Sequence, residues 1–255
     1  MSTAIVTGGG RGIGRGIALR LAKDGHSVAV VDVNKAGAEA VAAEIAGAGG
    51  RSTAVACDVT DRAAVFTMVD QVAGELGSVD VMVNNAGIAQ VKTLLEVTPE
   101  DLEAIFAVNV YGVLYGLQAA AERMIEQDTG GKIINASSIA GHSGFDFLGH
   151  YSATKFAVRA LTQAAAKELA KHRITVNAYC PGIVGTDMWD LIDERMSAYN
   201  GNAKGETLEQ YSQLIALGRV QTPEDVAGFV SYLAGRDADY MTGQAVMIDG
   251  GIVMV

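Results

Sequence analysis

An α/β domain built from repeated strand–helix–strand units around a parallel sheet is what this sequence predicts, and three observations predict it. Short runs rich in β-branched residues alternate with helical stretches along the whole chain. The first of these strands runs directly into a glycine-rich turn that opens a helix. No linker or break in composition divides the 255 residues, so they read as one domain.

Strands are expected at residues 3–7, 27–32, 52–57, 79–84, 131–136, 174–179 and 244–248, and helices at 12–24, 35–47, 61–76, 99–126, 150–171 and 222–234. Of the residues 49% are hydrophobic but only 6% aromatic, so the core must be built from Ala, Val, Ile and Leu. Thirty-one glycines against three prolines imply many tight turns and close backbone approaches. A formal charge of −10 without a basic cluster argues against a nucleic-acid partner. The N-terminus carries no basic leader and no long apolar stretch follows it, so neither a signal peptide nor a membrane span is expected and the setting is the cytoplasm. Cys57 and Cys180 are expected to be buried, unpaired thiols.

The first junction reads Thr7-Gly8-Gly9-Gly10-Arg11-Gly12-Ile13-Gly14. Glycines there permit the tight turn and let a pyrophosphate approach the backbone, while the helix N-terminus supplies free N–H groups and positive dipole. Asp32 ends the second strand, where a carboxylate accepts from both hydroxyls of an adenosine ribose and repels a 2′-phosphate. That favours NAD over NADP. Arg11 dissents, since a cation in the loop could pair with such a phosphate. Asp58 closes the third strand, within reach of an adenine amino group, and Thr60 or Asp61 caps the next helix.

Asn84-Asn85-Ala86-Gly87 ends the fourth strand in a turn whose side chains can lock backbone groups while Ala86 and Gly87 leave room for a ligand. Asn109 lies in an apolar helix, where asparagine needs a local reason such as a helix irregularity or a bound water. Ser138 follows the fifth strand at the carboxyl edge of the sheet, where an open α/β fold binds its ligands. His142 has no partner at triad spacing and reads as a loop or pocket-wall residue.

Tyr151-Ser152-Ala153-Thr154-Lys155 carries the chemistry. On a helix Tyr151 and Lys155 stand one turn apart on one face. A unit charge ~4 Å from a phenol at an effective dielectric of ~20 is worth roughly 4 kcal/mol, enough to lower a tyrosine pKa by up to about three units. Such a phenol suits general acid–base work.

The helix carrying this pair shows more small apolar surface than one core-facing stripe requires, which implies contact with another subunit. Residues 185–217 follow a proline and two glycines and mix polar text with Trp189, Met196, Tyr199 and Tyr211, as a mobile substrate lid would. The apolar tail from Ile252 to Val255 also suggests an interface.

Taken together, Thr7-Gly8-x-x-x-Gly12-Ile13-Gly14, Asn84-Asn85-Ala86-Gly87, Asn109, Ser138, Tyr151-x-x-x-Lys155 and Pro181-Gly182 resemble the short-chain dehydrogenase/reductase family over essentially the whole chain. The resemblance implies a doubly wound, Rossmann-type sheet of seven strands and a catalytic tetrad of Asn109, Ser138, Tyr151 and Lys155. In it the tyrosine is the acid–base group, the serine orients the substrate oxygen, the lysine lowers the tyrosine pKa, and the asparagine positions a water leading to the lysine. It further implies a cofactor site of Gly8, Arg11, Gly12, Ile13, Gly14, Asp32, Asp58, Val59, Asn85, Ala86, Gly87, Tyr151, Lys155, Pro181, Gly182, Val184 and Thr186, no metal, and a homotetramer packed through the tyrosine helix.

Within the family the text is most similar to the acetoin (diacetyl) reductase and 2,3-butanediol dehydrogenase branch, through Lys155-Phe156-Ala157-Val158-Arg159, Tyr179-x-Pro181-Gly182-Ile183-Val184 and Met188-Trp189. That likeness implies a small hydroxyketone or vicinal diol as substrate, held by Ser138, Ile139, Phe145, Tyr151, Gly182 and Trp189, with a lean towards the S alcohol. A reductase of sugars, polyols or acyl-thioester ketones and a non-catalytic dinucleotide sensor are the alternatives. The intact tetrad weighs against the sensor.

Overall fold

The computed structural model describes residues 2–254. Seven strands form one parallel sheet: β1 (Thr3–Thr7), β2 (Ser27–Asp32), β3 (Ser52–Ala56), β4 (Val81–Asn84), β5 (Gly131–Ala136), β6 (Ile174–Pro181) and β7 (Ala245–Ile248). Their order across the sheet is β3-β2-β1-β4-β5-β6-β7. The chain winds outward from β1 in one direction to β3, then returns to the other side of β1 at β4. This reversal opens a crevice beyond the carboxyl ends of β1 and β4.

Among the described residues nine α-helices accompany the strands: α1 (Gly12–Lys23), α2 (Lys35–Gly47), α3 (Arg62–Leu76), α4 (Pro99–Phe106), α5 (Gly112–Gln127), α6 (Gly149–Leu169), α7 (Asp187–Asn200), α8 (Glu206–Ser212) and α9 (Pro223–Ala234). Strand residues alternate between two cores. Ile5, Met82, Ile133 and Val176 pack with α3, α5 and α6 on one face. Ala4, Val6, Val83 and Ile134 pack with α1, α2 and α9 on the other. A sheet covered on both faces needs apolar side chains at successive positions, which explains why its strands read as unbroken apolar runs.

Two expectations require correction, and a third is only partly explained. Residues 99–126 are not one regular helix, because α4 and α5 are joined by a π-helical turn at Ala107–Tyr111 centred on Asn109. This composite helix, Pro99–Gln127, is the one among the described residues with the length and hydropathy of a membrane span, yet 56% of its most apolar window is buried inside the protein. The stretch expected to be a mobile lid carries two helices that were not expected, α7 and α8, joined by the buried carboxylate of Asp193, which accepts from the Gly205 and Leu208 amides. The tail is partly accounted for within the chain: Asp249 accepts from the amides of Gly251 and Val253, and that turn places Ile252 in the wall of the central cavity. Val255 lies outside the described residues.

Candidate active site

The glycine turn follows β1. Gly8 adopts φ +62°, and a Cβ on Gly14 would lie 2.0 Å from the Gly8 carbonyl oxygen, so neither position tolerates a side chain. Helix α1 begins at Arg11 without a side-chain cap, which leaves its first N–H groups free to meet an anion. Asp32 braces the turn, accepting from Gly10 N at 3.0 Å and from Asn34 N at 2.9 Å. Arg11 is paired with Asp187 at 2.9 Å, so its charge is directed at the start of α7. Thr186 sits directly over Gly12. Further along the edge, Asp58 accepts from Thr60 and Asp61 caps α3, which settles the capping choice in favour of Asp61. The Val59 side chain packs against Gly112.

Asn85 has no polar atom to spare on its side chain. Its amide donates to the carbonyls of Thr7 and Gly8 and accepts from the Tyr179 hydroxyl, while Thr7 Oγ1 accepts from the Asn85 and Ala86 amides. The residue acts as a brace between the β1 turn and the end of β4.

Asn109, fully buried, accepts from Ile88 N at 2.9 Å and donates to Ile88 O at 2.9 Å and to Thr154 Oγ1 at 3.2 Å. The π-helical turn aims the asparagine across at this loop, and Thr154 in turn donates to Tyr151 O. Asn109 therefore stands one layer behind the cavity. Gly87 lies between it and the lysine: a Cβ there would be 3.3 Å from Asn109 Oδ1 and 3.7 Å from Lys155 Nζ.

Ser138, Tyr151 and Lys155 face one cavity of about 120 Å3. Lys155 Nζ donates to Ala136 O at 2.9 Å and stands 5.5 Å from the centroid of the Tyr151 ring. The expected lowering of the tyrosine pKa does not occur here. Burial pushes Tyr151 up to about 12, with only the Ser138 hydroxyl pulling the other way. Burial likewise pushes Lys155 down to about 8. Each group loses water in a largely apolar pocket, and desolvation penalises phenolate and ammonium alike.

Ile139, Phe145, Gly182 and Trp189 line the same cavity, as expected, together with Ile13, Pro181, Val184 and Thr186. His142 is not among the lining residues. Phe145, Trp189, Met188 and Tyr211 pack with Ile192 and Met196 into a small apolar cluster that seats α7 and α8 over Tyr151. Cys57 and Cys180 are buried and unpaired, and burial pushes each thiol up to about 11. Sequence reasoning missed several cavity residues, among them Ile88, Leu148, Tyr179, Ile192 and Ile252. Tyrosine in a fully buried strand was a signal for Tyr179, since its hydroxyl needs a partner; for Ile252 the apolar tail signalled burial but not against what.

A parallel doubly wound sheet with a glycine turn at its reversal point and a Ser–Tyr–Lys group in the adjoining cavity defines a dinucleotide-dependent oxidoreductase. The chain belongs to the family described as short chain dehydrogenase, whose model matches residues 2–197. It is 54% identical over 254 residues to an L-2,3-butanediol dehydrogenase of Corynebacterium glutamicum, covering 98% of both chains. It is also 48% identical over 252 residues to a diacetyl reductase, (S)-acetoin forming, of Staphylococcus epidermidis, again covering 98% of both. A crystal structure of a short-chain type dehydrogenase/reductase from Mycobacterium marinum superposes with a TM-score of 0.91 at 38% identity, over 100% of this chain and 96% of that one.

Proposed function

We propose that the protein is an NAD-dependent dehydrogenase that interconverts a small vicinal diol or hydroxyketone, of the acetoin, diacetyl and 2,3-butanediol type, with the corresponding ketone. The observation that carries this reading is the convergence of Ser138, Tyr151 and Lys155 on one small cavity walled by Ile139, Phe145 and Trp189. An apolar wall suits a short carbon skeleton, and the few polar groups suit its oxygens. The names of the relatives support the substrate class, and the Staphylococcus name supports an S product.

The residues present fit a nicotinamide dinucleotide. The Gly8–Gly14 turn and the uncapped start of α1 would receive the pyrophosphate, Asp32 the adenosine ribose, and Val184 and Thr186 the nicotinamide end. Asp32 at the end of β2, with Arg11 already paired to Asp187, supports NAD over NADP. The dinucleotide supplies or takes up the hydride. Tyr151, neutral at physiological pH, donates its proton to the ketone oxygen during reduction and recovers it during oxidation. Ser138 holds that oxygen, and the Lys155 ammonium stabilises the phenolate left behind. Asn109 and Thr154 hold α6 against the Ile88 loop and so fix where Tyr151 stands.

Three further readings belong with this one. Helices α7 and α8 form the lid, supported by the apolar cluster beneath them. The protein forms a homotetramer through α6, supported by its exposed small residues. It works in the cytoplasm, supported by two free thiols.

The test is NADH and NADPH consumption with diacetyl and acetoin, set beside xylulose and a β-ketoacyl thioester, with Tyr151→Phe as the control. NADH with the four-carbon ketones should be the best pair. Tyr151→Phe should bind NADH and lose about a hundredfold or more of turnover. Preference for a sugar or thioester, or undiminished turnover in the variant, removes the reading.

A further inference from the structure

The geometry points to Tyr179 as a positioning residue for the dinucleotide site: its hydroxyl, acting through Asn85, sets the shape of the glycine turn three strands away. Tyr179 is fully buried on β6, while the turn leaves β1; β4 and β5 lie between them. The phenol reaches across this gap and donates to Asn85 Oδ1 at 2.9 Å. The Asn85 amide then donates to Thr7 O at 2.9 Å and to Gly8 O at 3.1 Å.

The orientation of that amide is forced. Its NH2 group must face the two carbonyls, because an oxygen turned toward them would meet two acceptors and leave them without a donor. Its oxygen then needs a donor of its own, and Tyr179 is the only one among the described residues. Burial, and then the neighbouring Tyr151, holds the Tyr179 pKa far above the ordinary tyrosine value, so the hydroxyl remains a donor throughout the working pH range.

The turn is moulded around this amide. A Cβ at Gly8 would approach Asn85 Nδ2 to 3.0 Å, and one at Gly14 would approach it to 2.6 Å. Removing the phenol oxygen leaves Asn85 Oδ1 buried without a partner and loosens the amide, which weakens its hold on the Thr7 and Gly8 carbonyls. The backbone N–H groups proposed to receive the pyrophosphate would lose their fixed direction. One bond would thus couple the strand that carries Pro181 and Gly182 to the turn that holds the phosphates.

The inference rests on the dinucleotide reading above, and the experiment separates the two. Binding of NADH to wild type and to Tyr179→Phe is followed by fluorescence, with amide hydrogen exchange over residues 7–14 in the unliganded proteins, kcat and both KM values, and the same substitution made on an Asn85→Ala background. We expect NADH affinity and NADH KM to worsen about fivefold to tenfold, the range of one hydrogen bond. Exchange in the turn should quicken, the NADH terms should worsen more than kcat with the pH profile unshifted, and the second substitution should add nothing once Asn85 is gone. Unaltered NADH affinity in Tyr179→Phe, whatever its melting temperature, overturns the inference, as does an effect that persists undiminished on the Asn85→Ala background. A shifted pH profile would also overturn it by assigning the phenol an acid–base part. A wild type that binds no dinucleotide would instead overturn the reading on which it rests.

Discussion

At the scale of single residues, the chemistry depends on two groups that the fold deprives of water. Lys155 is 4% exposed and its one neutral partner is the Ala136 carbonyl, so the pocket disfavours its charge. Its folded pKa of about 8 lies below the ordinary 10.5. Between these values the unfolded chain binds more protons at this position than the folded one, so the contribution of Lys155 to stability increases as pH rises from about 8 to 10.5. Denaturant unfolding of wild type and Lys155→Met should therefore show their stability difference shifting in favour of wild type across that window, by at most about 1.4 kcal/mol per pH unit. A difference that stays flat would mean the ammonium is better solvated than its surroundings imply. Tyr151 moves the opposite way, to about 12, which keeps it a proton donor at neutral pH. By this sign, ketone reduction should be favoured at lower pH and alcohol oxidation at higher pH.

At the scale of elements, α7 and α8 are the least embedded part of the site. They rest on an apolar cluster of their own and are tied together by Asp193, whose carboxylate is 3% exposed and serves the Gly205 and Leu208 amides. Asp193→Ala leaves both donors without a partner, a loss of about 1–3 kcal/mol concentrated in α7 and α8. Hydrogen exchange over residues 187–212 should accelerate while the sheet amides stay protected. The KM for the ketone should rise while NADH affinity holds. Equal protection of the lid in both proteins would show that the apolar cluster suffices without the carboxylate. The π-helical turn in the composite helix is the second element with a purpose, because without its extra residue Asn109 would not be aimed at Ile88 and Thr154.

At the scale of the whole molecule, α6 has two contrasting sides. Its inner side holds Ser152, Thr154, Lys155 and Val158, all buried; its outer side leaves Ala153, Ala160 and Ala164 exposed, with Phe156 44% exposed beside them. Small residues let a second helix approach closely, and an arginine among them would prevent it. Ala160→Arg should split the assembly in sedimentation measurements, leaving the melting curve of the subunit recognisable. A wild-type chain that sediments as a monomer at working concentrations would end the tetramer reading.

How much of this was legible beforehand follows the range of the interactions. Five of the helices and all seven strands were expected within a few residues, with α4 and α5 expected as one, because alternating apolar runs and caps such as Thr222 with Asp225 are local signals. Asn109 could be marked as anomalous in an apolar helix, but the π-helical turn itself could not be foreseen, since it exists to meet a loop 21 residues away in sequence. Helices α7 and α8 were obscured because their stability comes from an apolar cluster shared with distant segments and from one buried carboxylate.

By itself the sequence determined the α/β class, the glycine turn and the helical spacing of Tyr151 and Lys155, all of which are set by backbone geometry within a few residues. Only the tertiary structure decided the protonation of that pair, the pairing of Arg11 with Asp187, and the bond from Tyr179 to Asn85. Desolvation and long-range hydrogen bonds depend on which segments meet in space, and that is settled when the sheet closes around its crevice.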